Sequence, residues 1–241
     1  YKGKQELYLR QKPVELERLV EVAKVQSTES SNRIEGIITT KSRLQQLVED
    51  KTTPRNRDEK EILEYRNVLN LIHENYEYIP FRSNLQLHRD LLQYTELTYG
   101  GKYKTIPNEI DAVLPNGEKR ILFKPLEPYE TPGAIEQICD SYQRALEQEI
   151  VDPLILIPCV ILDFLCVHPF NDGNGRMSRL LTTLLLYRNG FYVGKYVSLE
   201  AKIAKNKDLY YSALAASQTG WREGTEDVVP FIKYLLGTIL A

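Results

Sequence analysis

Cysteine is scarce in this chain: Cys139, Cys159 and Cys166 are the only three in 241 residues. They are odd in number, lie in helix-like or apolar stretches and form no Cys-x-x-Cys pair, so neither a disulfide framework nor a cysteine-rich zinc site is expected. They read as small buried hydrophobes in a reducing compartment. Charge of one sign is lacking as well. Lys and Arg number 31 against 33 Asp and Glu, a net charge of -2, so no global field draws DNA or an anionic membrane to the surface. Long hydrophobic runs are absent. The longest, Leu154 to Val167, contains Pro158 and Asp163 and is too short to span a bilayer. No charged-then-apolar leader, internal repeat, low-complexity tract, winged-helix pattern or dividing linker is found. What remains is ordinary globular composition, 42% hydrophobic and 27% charged, and a cytoplasmic protein of one domain over residues 1–241 is expected.

Apolar spacing predicts helices through most of the chain. Residues 14–25 form one, with Pro13 in its first turn, and a separate short polar helix follows within 27–36, stopped by Gly36. Helices are expected at 41–49, 59–76, 83–94, 131–148, 199–204, 208–216 and 228–240. Residues 193–197 read as irregular and 218–227 as a loop. Asp152-Pro153 is an N-cap signature that opens the apolar run 154–167, which is greasy nearly all round and therefore belongs at the buried centre of a bundle. Thr131-Pro132 repeats the same signature. His88 lacks partners at metal spacing and reads as a helix-surface or packing residue. Residues 98–128 break the helical rhythm. Two β-prone runs, 109–114 and 119–123, flank Pro115-Asn116-Gly117-Glu118, and Asn-Gly between such runs is a hairpin signal. The fold class is all-α with one small hairpin flap at 106–124, which is either a structural flap or an exposed edge able to pair with a peptide.

The chemistry concentrates at residues 168–179, His-Pro-Phe-Asn-Asp-Gly-Asn-Gly-Arg-Met-Ser-Arg, set between two apolar helices of the 154–190 segment. Gly173 and Gly175 free the backbone and clear space for a ligand. The N–H groups of a helix expected to begin at Arg176, with Arg176 and Arg179 a turn apart, form an anion site, and two arginines suggest a polyphosphate. Asp172, the segment's one carboxylate, fits a Mg²⁺ ligand beside phosphates better than an ion-pair partner. His168 alone takes a proton near neutral pH. Neither Ser nor Cys stands with it in a triad, so it fits a base for an incoming hydroxyl. Far upstream, Ser31 and Glu35 share one helix face.

This segment resembles the Fic family motif, H-x-F-x-[D/E]-G-N-[G/K]-R-x-x-R, and meets each fixed position: His168, Phe170, Asp172, Gly173, Asn174, Gly175, Arg176 and Arg179. The resemblance extends to a hairpin flap upstream, to an inhibitory pattern [S/T]-x-x-x-E-[G/N] matched by Ser31, Glu35 and Gly36, and to a Tyr pair beside adenine matched by Tyr210 and Tyr211. Where the family often carries Asn toward adenine, this chain has Gln218. The resemblance implies a protein adenylyltransferase. His168 would deprotonate a Tyr, Ser or Thr hydroxyl of a target protein, or of the chain itself, which attacks the α-phosphate of ATP and releases pyrophosphate. Phe170 would anchor the motif in the core. Asp172 would hold Mg²⁺, and Gly173, Asn174 and Gly175 would form the anion hole. Arg176 would meet the β-phosphate and Arg179 the γ-phosphate. Glycine at 175, where a phosphorylating branch carries lysine, favours nucleotidyl transfer. Asn108, Glu109 and Ile110 would register the target peptide. Glu35 would inhibit by taking Arg179 in a charge-assisted, bidentate-capable pair. Two other readings stand beside this one: hydrolytic removal of AMP from a modified protein at the same site, and a toxin–antitoxin-type regulator that senses ATP without turnover. No membrane or nucleic-acid partner is implied within these residues, and a homo-oligomer is left open.

Overall fold

The computed structural model describes Gln5 and residues 13–95, 97–113 and 119–240. The secondary structure of the described residues is almost all helix. Eleven α-helices run in the order α1 (Pro13–Ile34), α2 (Lys41–Val48), α3 (Arg57–Asn75), α4 (Asn84–Leu91), α5 (Thr131–Glu147), α6 (Pro153–Val167), α7 (Asn174–Arg188), α8 (Val193–Tyr196), α9 (Leu199–Lys205), α10 (Lys207–Gln218) and α11 (Val229–Leu240). Between α4 and α5 lie β1 (Ile110–Val113) and β2 (Lys119–Phe123), paired antiparallel with Val113 opposite Lys119. The all-α class with a hairpin flap is therefore what the chain adopts. The Asn116-Gly117 turn expected to join the strands lies outside the described residues. No helix among the described residues is long and apolar enough to cross a membrane.

The chain divides into two compact units, residues up to Gly101 with Arg179–Lys207, and Lys102–Ser178 with the residues from Asp208 on. In the first, α1 packs against α2, α3, α8 and α9, and α3 packs against α4. In the second, α6 packs against α5 and α11. Asp152 caps α6 as expected, its carboxylate accepting from the Leu154 N–H at 2.8 Å. Thr131 is the first residue of α5 rather than its cap, and its hydroxyl donates back to the Glu127 carbonyl at 3.0 Å.

Two expectations fail for one physical reason. The helix at 14–25 and the polar stretch after it are a single helix, α1, and the polar half is the buried half. Ser27, Thr28, Ser30, Ser31 and Asn32 are all buried, whereas Leu19 and Val22 are about half exposed. Hydroxyls are tolerated there because they meet polar partners. The Ser27 hydroxyl donates to Glu200 on α9 at 2.7 Å, the Tyr65 hydroxyl on α3 donates to the same carboxylate at 3.1 Å, and Ser198 adds a third donor at 3.3 Å. The helix then stops where Gly36 was expected to stop it. Gly36 has φ +81°, its N–H reaches Arg33 O at 3.1 Å and the Ile37 N–H reaches Asn32 O at 3.0 Å. This is the paired-bond Schellman ending.

Other boundaries shift. α3 begins two residues early because Asn56 caps it through the Glu59 N–H, α4 is shorter than 83–94, and 193–197 is helical as α8 rather than irregular. The loop 218–227 contains a 3-10 turn, Trp221–Glu223. His88 packs rather than lying on the surface. It is fully buried, and its Nδ1 accepts from the Gly101 N–H at 3.1 Å. Gly101 itself has φ +71°, and a Cβ there would lie 2.9 Å from Arg89 Cβ, so the turn needs glycine.

Two predictions concern the first unit. Glu64 is buried on α3, and its pKa is raised from 4.5 to about 7, by burial first and by the nearby Asp90 charge second. A carboxyl whose folded pKa is raised contributes stability that is whole below the unfolded value and is lost as pH rises through about 7. Glu64→Gln should match its parent in thermal melts at pH 4 and exceed it at pH 8 by about 1–3 kcal/mol; an equal gap at both pH values would contradict this. Tyr65→Phe removes a donor from the buried Glu200 carboxylate. It should lower stability by about 1–3 kcal/mol in urea titrations at unchanged slope, and an unchanged midpoint would contradict the role given to Tyr65.

Candidate active site

The residues singled out in the sequence fall into two groups, each within one unit. The first is the loop that ends α6 and starts α7. α6 terminates at His168, whose N–H still reaches the Phe164 carbonyl at 2.9 Å while its backbone turns left-handed at φ 49° and ψ 62°. A histidine in that region carries backbone strain of order 1 kcal/mol, held in place by the surrounding contacts. Phe170 is fully buried, stacked on Tyr103 at 6.1 Å between ring centres and tilted against Phe164 at 6.1 Å. It anchors the loop in the core.

α7 begins at Asn174, two residues earlier than expected, because Gly173 with φ +81° supplies the turn into it. The first intrahelical bond runs from the Met177 N–H to Gly173 O at 2.8 Å. Of the two glycines thought to need unusual backbone, only Gly173 does; Gly175 sits in the first helical turn. The N–H groups of that turn face the loop, the arrangement in which a helix start attracts anions. The Asn174 side chain does not face outward. Its oxygen accepts from the Phe170 N–H at 2.9 Å and its amide donates to Phe170 O at 2.7 Å. Asn174 therefore sews the loop closed, leaving its main chain for the helix start.

Asp172 accepts from the Gly173 N–H at 2.6 Å and lies 3.6 Å from the Arg176 guanidinium. The ion pair disfavoured from sequence does form. It is long, and the Asp172 side chain is 39% exposed while that of Arg176 is 1% exposed. Such a carboxylate can turn to a second cation. Among the described residues no group of three or more His, Cys, Asp or Glu gathers as a dedicated metal cage would require. One accessible carboxylate at a helix start suits Mg²⁺, which takes one or two carboxylates and completes its shell with phosphate oxygens and water.

The loop is braced by Lys104, which sequence reasoning passed over, and by Asn108. Lys104, buried to 2% exposure, donates from Nζ to Val167 O at 2.9 Å and to the Asn108 side-chain oxygen at 2.9 Å. Its N–H donates to Pro169 O at 2.8 Å. Asn108, expected to register a peptide, turns its amide to His168 O at 3.2 Å and Phe170 O at 3.0 Å. Glu109 is exposed and Ile110 half-buried at the start of β1. A lone Lys followed four residues later by Asn in a loop carries no sequence signal. On α10, Tyr210 is buried in an aromatic cluster with Tyr211, Phe231 and Tyr234, Tyr211 is 42% exposed, and Gln218 is buried beside Cys166.

The second group is in the other unit. Arg179, 4% exposed, donates from Nε to the Ser31 hydroxyl at 2.7 Å and from Nη2 to Ser31 O at 2.9 Å and Glu35 Oε1 at 2.7 Å. The Ser31–Glu35 face of α1 is thus turned onto the arginine rather than into solvent. Ser31 and Tyr65 are both buried in this unit, and the Tyr65 hydroxyl donates to Glu200 at 3.1 Å. Lys207 donates to Ile34 O at 2.8 Å, which holds the last turn of α1 down.

Comparison with known proteins finds related chains. The model of the Fic/DOC family matches residues 78–186. The chain is similar to the protein adenylyltransferase Fic of Culex quinquefasciatus, 24% identical over 234 residues, covering 91% of this chain and 41% of that protein. It is also similar to the protein of that name in Nematostella vectensis, 25% identical over 233 residues, covering 91% and 48%. The chain spans less than half the length of these relatives. Among solved structures it resembles a Fic domain containing signaling protein from Bacteroides thetaiotaomicron, with TM-score 0.79 and 24% identity over 99% of this chain and 92% of that one. A Fic family protein from Desulfovibrio desulfuricans gives TM-score 0.73 and 22% identity over 92% and 63%. At these identities the structures bear on the fold, whereas the Fic/DOC match covers residues 78–186, the segment that carries the gap-free motif His168–Arg179.

Proposed function

We propose that this chain is an autoinhibited protein adenylyltransferase that moves AMP from ATP to a hydroxyl side chain of a target protein and of itself. The observation that carries the reading is the Arg179–Glu35 pair at 2.7 Å, made by the last arginine of a complete Fic motif. Names of relatives support the activity class.

In this mechanism the target hydroxyl gives its proton to the His168 imidazole as its oxygen bonds to the α-phosphorus of ATP. The bond from that phosphorus to the α,β-bridging oxygen breaks, and pyrophosphate leaves with the electron pair. Binding and orientation fall to the helix start: main-chain N–H groups at Gly173–Gly175 take the phosphate oxygens, and Arg176 and Arg179, three residues apart on α7, share one helix face toward the β- and γ-phosphates. Asp172 would hold Mg²⁺, whose charge offsets that of the phosphates when bound. The adenine would lie toward Tyr210, Tyr211 and Gln218, and the target peptide would add along the flap at Asn108, Glu109 and Ile110. Glu35 inhibits by occupying the guanidinium that the γ-phosphate requires, which leaves the α-phosphate poorly aligned for in-line attack.

Incubation of the parent chain with radiolabelled ATP and Mg²⁺ should give weak self-labelling. Glu35→Gly should raise it by about tenfold or more, and adding His168→Ala should abolish it, a base loss worth about 10²–10⁴ in rate. Labelling of Glu35→Gly no stronger than the parent would overturn the inhibition. If Glu35 were instead required to remove AMP from a modified protein, the chain would be a hydrolase. Tight ATP binding without pyrophosphate release in every variant would make it a sensor.

A further inference from the structure

Four consecutive main-chain carbonyls, from Val167 to Phe170, lie where α6 ends. A helix C-terminus leaves its last carbonyls without helical donors, and they must be met by something else. Here each of the four is met by Lys104 or Asn108. Val167 O takes Lys104 Nζ at 2.9 Å, His168 O takes Asn108 Nδ2 at 3.2 Å, Pro169 O takes the Lys104 N–H at 2.8 Å, and Phe170 O takes Asn108 Nδ2 at 3.0 Å.

From this geometry we infer that Lys104 and Asn108 are positioning residues for the imidazole of His168, a role that rests on the reading of His168 as the base. The chemistry of the pair explains why these two side chains are needed. An ammonium only donates, so the atom of Asn108 that faces Lys104 at 2.9 Å must be the amide oxygen. That fixes the amide's flip and turns both of its N–H bonds toward the loop. The peptide units on either side of His168 are then held: its N–H by Phe164 O at 2.9 Å, its carbonyl by Asn108. With the backbone fixed at φ 49° and ψ 62°, the direction in which the imidazole leaves the chain is fixed too. A reacting group misplaced by an ångström loses about a hundredfold in rate, so a brace of this kind has a kinetic signature.

Among the described residues Lys104 has no acidic hydrogen-bond partner; its side-chain acceptors are a carbonyl and an amide oxygen. Burial is the first cause of its pKa being lowered to about 8, with Glu127 and Glu130 opposing and Arg222 assisting. A lysine kept in such a place is better explained by what it holds than by stability. Its positive charge at the C-terminal end of α6 also complements the helix dipole.

The test uses Lys104→Met and Asn108→Leu, near-isosteric changes that remove the donors. In the Glu35→Gly chain, each should lower kcat for AMP transfer by about tenfold to a hundredfold while leaving KM for ATP within about twofold. Independently of activity, the imidazole ¹⁵N resonances of the parent chain should show one sharp His168 set among three histidines, assigned by His168→Ala. In either variant that set should broaden or double while those of His73 and His88 stay in place. An unchanged kcat with an unchanged His168 spectrum would overturn the inference, as would a rise in KM for ATP accompanied by movement of all three histidines, which would mark mere scaffolding. If Lys104→Met does not fold, Asn108→Leu, at a half-buried position, carries the test alone. If Glu35→Gly transfers no AMP, the function reading fails and the His168 spectrum still decides this one.

Discussion

Arg179 is the residue on which the account turns. A guanidinium at 4% exposure must have its donors met, and α1 meets them with a hydroxyl, a carbonyl and a carboxylate from within five residues. Two of these partners belong to Ser31 in the body of α1, whose Ser27 is tied to the buried Glu200. The third, Glu35, lies past the last helical residue, and its side chain is one-third exposed. The arginine is therefore held by two acceptors of Ser31 and by one carboxylate at a helix end. Under the proposed function the two Ser31 contacts would orient the guanidinium, and the Glu35 contact would yield to a phosphate.

Helix ends account for the rest. α6 closes with His168 in a left-handed turn, and α7 opens from Gly173, so the segment between them has one helix's carbonyls on one side and another's N–H groups on the other. Carbonyl ends attract cations and N–H ends attract anions. Lys104 reaches the first end, and the polyphosphate of the proposed reaction would occupy the second. Phe170 and Asn174 keep the segment short and rigid between them, the one by burial and the other by bracketing the Phe170 peptide.

What the sequence made legible follows from how local each signal is. Asp152-Pro153, Asn174–Arg179 and Gly36 carry their instructions within a few residues, and the apolar run of α6 states its burial outright. The burial of Ser27, Thr28 and Ser30–Asn32 could not be read, because a run of polar residues looks like a solvated face until Glu200 and Tyr65, distant in sequence, are brought beside it. Lys104 was hidden, and the loop contacts of Asn108 were unread, for the same reason: their partners are carbonyls sixty or more residues away, and a carbonyl has no residue identity. The resemblance implied Asn174 in the anion hole; its side chain is engaged by the Phe170 peptide, which leaves only its main chain for such a contact.

The central claim, that Glu35 and the γ-phosphate compete for one guanidinium, is tested most directly by nucleotide affinity. Calorimetric titration of ATP and of ADP into His168→Ala, with and without Glu35→Gln, separates the two phosphates without turnover. The account predicts that removing the carboxylate charge tightens ATP binding by about tenfold, the worth of a charge-assisted contact, and leaves ADP binding unchanged. Equal tightening of both nucleotides, or of neither, would contradict it.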